Sequence, residues 1–254
     1  MMDKIVPLSV AMIVHNEEGN LPDCLKSIAF VRQIVVVDSG SEDGTLRIAT
    51  DFGCDVFSES WRGFGAQKQS AIEKCREPWI LVLDADERIP PETALAIGQA
   101  VDVPDISGYS FPRKNLFQGR WIRHAGWWPD RVVRLFRKGQ GCMTEAKVHE
   151  AVRVKGEVKP LQAPIVHLTE DRLGPILRKI DRYSTLGAEE AFAQGRESSV
   201  FTALLRANIT FCQDYILRGG FLDGSQGLTL AATDAVNKFF KYAKLAEMKR
   251  RAKA

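Results

Sequence analysis

Trp79-Ile-Leu-Val-Leu-Asp-Ala-Asp-Glu-Arg88 is the stretch from which the fold of this chain is read. The apolar run from Trp79 to Leu83 has strand length, follows Pro78 and mixes Ile and Val with a Trp, which predicts a buried strand. Asp84 and Asp86 then stand at its C-terminal end, where open α/β sheets place their ligand crevices. Residues i and i+2 of an extended segment share a face, so the two carboxylates form a same-side pair with no Lys or Arg between them. Hard oxygen donors of this kind suit Mg²⁺ or Mn²⁺, ions that also hold substrate phosphates. The competing reading is a solvated turn, because Asp is itself a good turn residue.

Working outward, the preceding residues alternate strand with helix. Leu8 to Val14 predicts a first strand and Gln33 to Asp38 a second, almost uniformly β-branched one. Asn20 as a cap with Pro22 in the first turn predicts a helix over 21–29. A turn cluster, Ser39-Gly-Ser-Glu-Asp-Gly44, precedes a helix that Thr45 opens and Phe52 closes. A short strand over 54–58 and a helix over 64–75 lead into the quoted strand. Such alternation implies a parallel sheet covered on both faces. Three polar strand ends would then line one edge: His15-Asn-Glu-Glu18, Asp38-Ser-Gly-Ser41 and Asp84-Ala-Asp86. An Asp closing the second strand can hydrogen-bond a ribose or base edge, or simply cap the turn that follows. Neither a G-x-G-x-x-G nor a P-loop pattern occurs.

Composition agrees with an ordinary soluble globular protein. The chain has 254 residues, 45% hydrophobic and 26% charged, and a formal net charge of +3, too small to argue for nucleic acid. Its five cysteines are scattered and odd in number, without metal spacing or a disulfide framework, which fits a reducing compartment. Strand-like residues begin within a few positions of the N-terminus, leaving no room for a signal peptide. No uninterrupted apolar window of about 18 residues predicts a transmembrane span.

Val14-His-Asn-Glu17, Val37-Asp-Ser-Gly-Ser-Glu-Asp-Gly-Thr45, Gly65-Ala-Gln-Lys68 and Leu83-Asp-Ala-Asp-Glu87 together resemble, in order and spacing, the successive motifs of family 2 glycosyltransferases. The resemblance implies a GT-A fold, an α/β Rossmann-like, mostly parallel sheet flanked by helices. It also implies a nucleotide-sugar donor and inversion at the anomeric carbon. Carried over by position, Asn16, Glu17 and Asp38 hold the nucleoside, and Lys68 lies near the base or diphosphate. Asp84 and Asp86 form the D-x-D pair that binds Mg²⁺ or Mn²⁺, with Asp86 the more direct ligand. On its own, Lys68 reads equally as a solvated helix lysine.

Residues 105–168 lose the regular alternation and are rich in aromatics, which stack on the apolar faces of sugars or simply form core. The adjacent Trp127 and Trp128 are the better acceptor-loop candidates, because neighbours cannot both point into one strand face. Arg131-Val-Val-Arg-Leu-Phe-Arg137 alternates like a strand, and Arg134 could reach a diphosphate through its planar fork or stand solvated. An attacking hydroxyl must also lose its proton to a positioned base. The resemblance implies a carboxylate well downstream of the D-x-D pair. Val148-His-Glu150 matches best, which makes Glu150 the expected base and Asp130 the runner-up. His149 would orient that base or ligate the metal.

The C-terminal third turns helical. Apolar residues recur at helical spacing from Leu173 to Tyr183, over 199–217 and over 228–250. The last segment ends in a concentration of Lys and Arg beside an aromatic face, as in helices that lie on anionic membranes; the alternative is a packed helix with a solvated tail. The expected organisation is a catalytic domain over 1–168, with its nucleotide-sugar half at 6–104 and acceptor half at 105–168. A helical, membrane-associating region over 169–254 follows. Leu135-Phe-Arg137, Val148-His-Glu150, Lys179-Ile-Asp-Arg-Tyr-Ser184 and Gly220-Phe-Leu-Asp-Gly224 further resemble bacterial lipopolysaccharide-core β-glucosyltransferases. That resemblance implies transfer of a hexose, glucose from UDP-glucose, to a lipid-anchored inner-core sugar. The enzyme would be cytoplasmic and peripheral on the inner face of the inner membrane. The alternatives are a GT-A transferase acting on polyprenyl phosphate or another glycan, and a nucleotide-sugar binding protein without turnover.

Overall fold

Runs of β-branched and aliphatic residues form β1 (Val6–Val14), β2 (Val31–Asp38), β3 (Asp55–Ser58) and β4 (Trp79–Val82), separated by α1 (Leu21–Ser27), α2 (Thr45–Asp51) and α3 (Phe64–Lys74). The computed structural model describes residues 5–144, 151–169 and 172–253. The chain then forms β5 (Glu87–Arg88), α4 (Pro91–Ala100), β6 (Gly108–Phe117), β7 (Arg120–Trp121), β8 (Asp130–Arg137), β9 (Gly141–Met143), β10 (Val152–Val154), β11 (Val158–Pro160) and β12 (Ile165–Leu168). Three helices close it: α5 (Leu173–Ala193), α6 (Val200–Cys212) and α7 (Gly224–Lys253). Between α6 and α7 lie a π turn at Gln213–Leu217 and a 3-10 turn at Gly220–Asp223.

The chain folds as two units, Met1–Lys114 with Asp130–His167, and Asn115–Pro129 with Leu168–Ala254. In the first, the strand order is β3-β2-β1-β4-β8-β6-β12-β5. β1, β2, β3 and β4 pair in parallel, as their helical crossovers require. Beyond β4 the pairing turns antiparallel, β4 with β8, β8 with β6 and β12 with β5. Alternate residues of β1 explain its apolar sequence. Val10, Met12 and Val14 pack with Leu21, Cys24 and Leu25 of α1, while Ala11 packs with Ala71 and Ile72 of α3 on the other face. Trp79 is buried, and its indole N–H donates to the Val101 carbonyl at 3.1 Å. Asn20 precedes α1 but does not cap it with its side chain, which donates instead to the Glu17 carboxylate at 2.8 Å.

In the second unit, α7 lies against both α5 and α6. Leu230 closes a cluster with Phe117 and Ile122, and Leu245 one with Ala188 and Ala191. Of the apolar stripe expected to face a membrane from the last helix, Ala231 and Ala246 are buried, Ala235, Phe239 and Tyr242 are half-buried and Leu228 is exposed. Its charge is also partly engaged: Lys244 pairs with Asp181 at 2.7 Å and Arg251 with Glu247 at 2.6 Å.

Burial separates the cysteines. It pushes the Cys24 thiol up, and raises Cys54 and Cys75 to about 12, while Cys142 and Cys212 are exposed. A disulfide-exchange reagent at about pH 8 should therefore titrate Cys142 and Cys212 rapidly, and the other three only after denaturation. Fast reaction of Cys24 in the folded protein would contradict the described packing.

Candidate active site

The parallel register brings the expected strand ends together. Val14 pairs with Asp38, Ala11 pairs with Val82, and Leu83 N–H donates to the Ala11 carbonyl at 3.1 Å. The loops after β1 and β2 are fastened to each other. Asn16, at φ 55°, adopts the left-handed conformation that Asn tolerates better than most residues. Its side-chain oxygen accepts from Glu42 N–H at 2.8 Å, and its own N–H donates to the Ser41 hydroxyl at 2.9 Å. Glu17 N–H donates to the Thr45 hydroxyl at 2.8 Å. Asp38 is buried; it accepts from Gly40 N–H at 2.8 Å, from Ser41 N–H at 3.1 Å and from the Ser41 hydroxyl. It thus caps the turn that follows β2, and thereby shapes the loop beside Asn16.

The acidic turn after β4 is held from three sides. Glu87 N–H donates to the Asp84 carbonyl at 2.9 Å, and Asp84 N–H to the Glu87 carboxylate at 3.1 Å. Arg88 reaches across to the Asn20 carbonyl at 2.8 Å and to the Ala85 carbonyl at 2.7 Å, tying the turn to the start of α1. His167 on β12 lies opposite Glu87 in the antiparallel register, which sets its Nε2 3.4 Å from Asp86 Oδ2.

The two aspartates differ in their surroundings. Asp84 was read as half of an unbalanced pair, and that reading does not hold. Lys68 Nζ stands 2.7 Å from Asp84 Oδ1, and Arg134 Nη2 stands 2.8 Å from Oδ2. Both cations come from elements remote in sequence, α3 and β8. Burial would raise the Asp84 pKa, but the two cations outweigh it and hold the carboxyl well below the usual range. Arg134 Nη2 also binds Glu87 Oε1 at 2.8 Å, so this one nitrogen holds two carboxylates where a diphosphate was expected. Its Nε is buried without a partner among the described residues. Burial opposes its charge, but Glu87 and Asp84 push its pKa up, so it stays cationic. Arg113 continues the chain of charges, 3.9 Å from Glu87 and 2.5 Å from Asp130, the second-choice base.

Glu17 completes the acidic edge. Burial, followed by the carboxylates of Asp86, Asp43 and Asp84, raises its pKa despite the bond from Asn20. An acidic cluster with an elevated carboxyl is a setting in which a bound cation would be favoured. Among the described residues, no group of three or more His, Cys, Asp or Glu is arranged to hold an ion alone. Asp86 and His167 supply two donors, which suits a hard ion that keeps water and substrate phosphates as its other ligands.

Glu87, Arg113 and His167 were missed by sequence reasoning. Glu87 lies inside the quoted stretch and could have been singled out as a third acid. His167 carried no local signal, because its approach to Asp86 depends on a register between strands far apart in sequence. Glu150 and His149 lie outside the described residues. In the second unit, Trp127 packs against the cluster of Phe117, Ile122 and Leu230, and Trp128 meets Trp121 edge-on with ring centroids 5.1 Å apart.

The carboxyl edge of the α/β sheet thus gathers its acidic loops around an Asp84 neutralised by Lys68 and Arg134. The model of glycosyl transferase family 2 matches residues 9–153, and the chain belongs to that family. It is 31% identical over 94% of its length to the lipopolysaccharide core biosynthesis glycosyltransferase LpsC of Rhizobium meliloti, covering 92% of that protein. Over 50% of its length it is 32% identical to an undecaprenyl-phosphate 4-deoxy-4-formamido-L-arabinose transferase of Pseudomonas paraeruginosa, covering 40% of that protein. Among solved structures, S. aureus TarS in complex with UDP-GlcNAc aligns over 96% of this chain and 92% of its own, at 13% identity and a TM-score of 0.49.

Glu87 is fully buried between two arginines. Glu87→Ala should lower the unfolding free energy in urea by about 3–5 kcal/mol, the usual cost of stripping one partner from a buried ion pair. Asp86→Ala, at a part-exposed position, should cost less than about 1 kcal/mol. Acid unfolding tests Asp84. Its folded-state pKa is depressed below the unfolded value near 3.9, so its ion pairs stabilise above that value and are lost as pH falls further. Asp84→Asn should therefore be less stable at neutral pH and show a flatter loss of stability below about pH 4.

Proposed function

We propose that the protein transfers a hexose, glucose from UDP-glucose, with inversion to an inner-core sugar of lipopolysaccharide at the cytoplasmic face of the inner membrane. The observation that carries this reading is the convergence of Asn16, Glu17, Asp84 and Asp86 at one sheet edge, with Asp84 neutralised and Asp86 paired to His167. The relationship to LpsC across nearly the whole of both chains supports the acceptor class.

In this mechanism the loops of Asn16 and Asp38 hold the nucleoside. Asp86 and His167 would hold Mg²⁺ or Mn²⁺, whose chemistry there is neutralisation of charge on the leaving diphosphate. Lys68 and Arg134 fix Asp84, so the turn presents Asp86 in one orientation. The acceptor hydroxyl oxygen attacks the anomeric carbon from the face opposite the diphosphate. The bond from that carbon to the diphosphate oxygen breaks, UDP leaves with the bonding electrons, and the hydroxyl proton passes to Glu150. Glu150 is preferred over Asp130 because Asp130 is already bound by Arg113. Trp127 and Trp128 are the proposed acceptor-stacking residues.

The half-length relationship to an undecaprenyl-phosphate transferase favours one alternative, a polyprenyl phosphate acceptor on the same fold. UDP release from UDP-glucose with Mg²⁺ or Mn²⁺, measured with truncated lipopolysaccharide or with undecaprenyl phosphate, separates the two. Release with lipopolysaccharide alone supports the first reading, and release with the lipid phosphate alone replaces it. Glu150→Gln should lower turnover by about 10²–10⁴-fold, the usual contribution of a general base, while UDP-glucose binding by calorimetry is retained. Near-normal turnover would remove Glu150 from the role.

A further inference from the structure

α6 packs on α7 through the side that buries Ala203. Its opposite side exposes Phe201, Leu205 and Ile209, spaced four residues apart on one helical stripe. The turns that follow extend this apolar surface with Leu217, Phe221 and Leu222, and Phe201 and Leu217 are 75% and 81% exposed. Isolated exposed apolar residues are ordinary, but so many on one helix stripe and the turns after it mark an interaction surface.

The charge that reaches water around the patch is positive, because its carboxylates are buried. Residues 199–229 contain two carboxylates, Asp214 and Asp223. Both are buried. Asp214 is paired with Arg218 at 2.9 Å, and Asp223 accepts from the N–H groups of Arg123 and His124 and faces the His124 ring at 3.2 Å. Arg218 is thus matched by Asp214, and exposed guanidinium groups remain on Arg206, which lies 5.2 Å from the centre of the Tyr242 ring, and on Arg120, which donates to the Leu222 carbonyl at 3.2 Å. The Arg123 guanidinium lies 4.2 Å from the centre of the Trp121 ring.

We propose that this face of α6 and its two turns docks on a bilayer surface containing anionic lipids, the apolar side chains entering the acyl boundary and the arginines meeting phosphate headgroups. A second copy of the chain fits less well, because a two-fold contact through the same patch would oppose the arginines to one another. The inference rests on the reading that the acceptor is membrane-lodged, and it moves the contact from the last helix to α6.

Flotation of the full chain with phosphatidylglycerol–phosphatidylcholine vesicles, against pure phosphatidylcholine vesicles, tests it. The wild type should bind the anionic vesicles and bind the neutral ones more weakly. The double variant Leu205→Asp, Leu217→Asp should lose at least about tenfold in vesicle affinity. Both positions are solvent-exposed, so its thermal unfolding should match the wild type, and Leu95→Asp, an exposed site on α4, should bind normally. Equal vesicle binding by the double variant and the wild type would overturn the proposal. So would a wild-type dimer that ignores vesicles and that the double variant dissociates. UDP-glucose binding, measured on the same preparations, reports on the transferase reading separately: loss of nucleotide binding with intact vesicle docking would refute that reading and leave this one standing.

Discussion

The alternation of charge from Lys68 through Asp84, Arg134, Glu87 and Arg113 to Asp130 is the constraint on which the site depends. A sheet edge that brings Glu17, Asp84, Asp86 and Glu87 together would repel itself and resist burial. Three cations drawn from α3, β6 and β8 make that concentration of carboxylates tenable. Buried ion networks are weak sources of stability, since desolvation offsets much of the attraction. What this one supplies is geometry, because Asp84, Glu87 and Asp130 each have a fixed cation to lie against.

The same network divides the acidic pair into two roles. Asp84 is an internal strut, neutralised on both oxygens. Asp86, one residue beyond a buried alanine, faces the imidazole of His167 at 3.4 Å. A metal competing for Asp84 would have to displace Lys68 or Arg134 from a partly buried position. A metal at Asp86 would have to displace nothing so strongly held. The elevated pKa of Glu17 points the same way: burial raises it most, the bond from Asn20 opposes that, and the negative charge of Asp86 is the foremost of the carboxylates that add to it. A cation bound there would relieve that repulsion.

Much of the first unit was legible because its signals are local. Apolar runs such as Val35 to Val37 can be satisfied only by burial on both faces, and the parallel crossovers then put Asn16, Asp38 and Asp84 on one edge. The partners of those residues were not legible. Arg134 looked like one of several alternating arginines in a half-exposed strand, and only the antiparallel pairing of β8 with β4 brings it to Asp84. His167 was passed over for the same reason. Local pattern predicts which residues are buried or turned; it carries no information about which distant strand lies alongside.

The helical unit makes the corresponding point for amphipathic surfaces. Periodicity identified apolar stripes on all three helices, and the basic C-terminus made the last one look like the membrane face. A stripe is covered or exposed according to its neighbours, however, and α7 runs between two partners while α6 has one. The helix with two partners buries Leu230, Ala231, Leu245 and Ala246. The helix with one leaves Phe201, Leu205 and Ile209 facing water. Their exposure is unfavourable in an isolated molecule, by roughly 1.5–3 kcal/mol for each large side chain relative to burial. That cost is removed when the face meets an apolar phase, so packing order within the unit, more than charge at the chain terminus, decides where such a phase would be met.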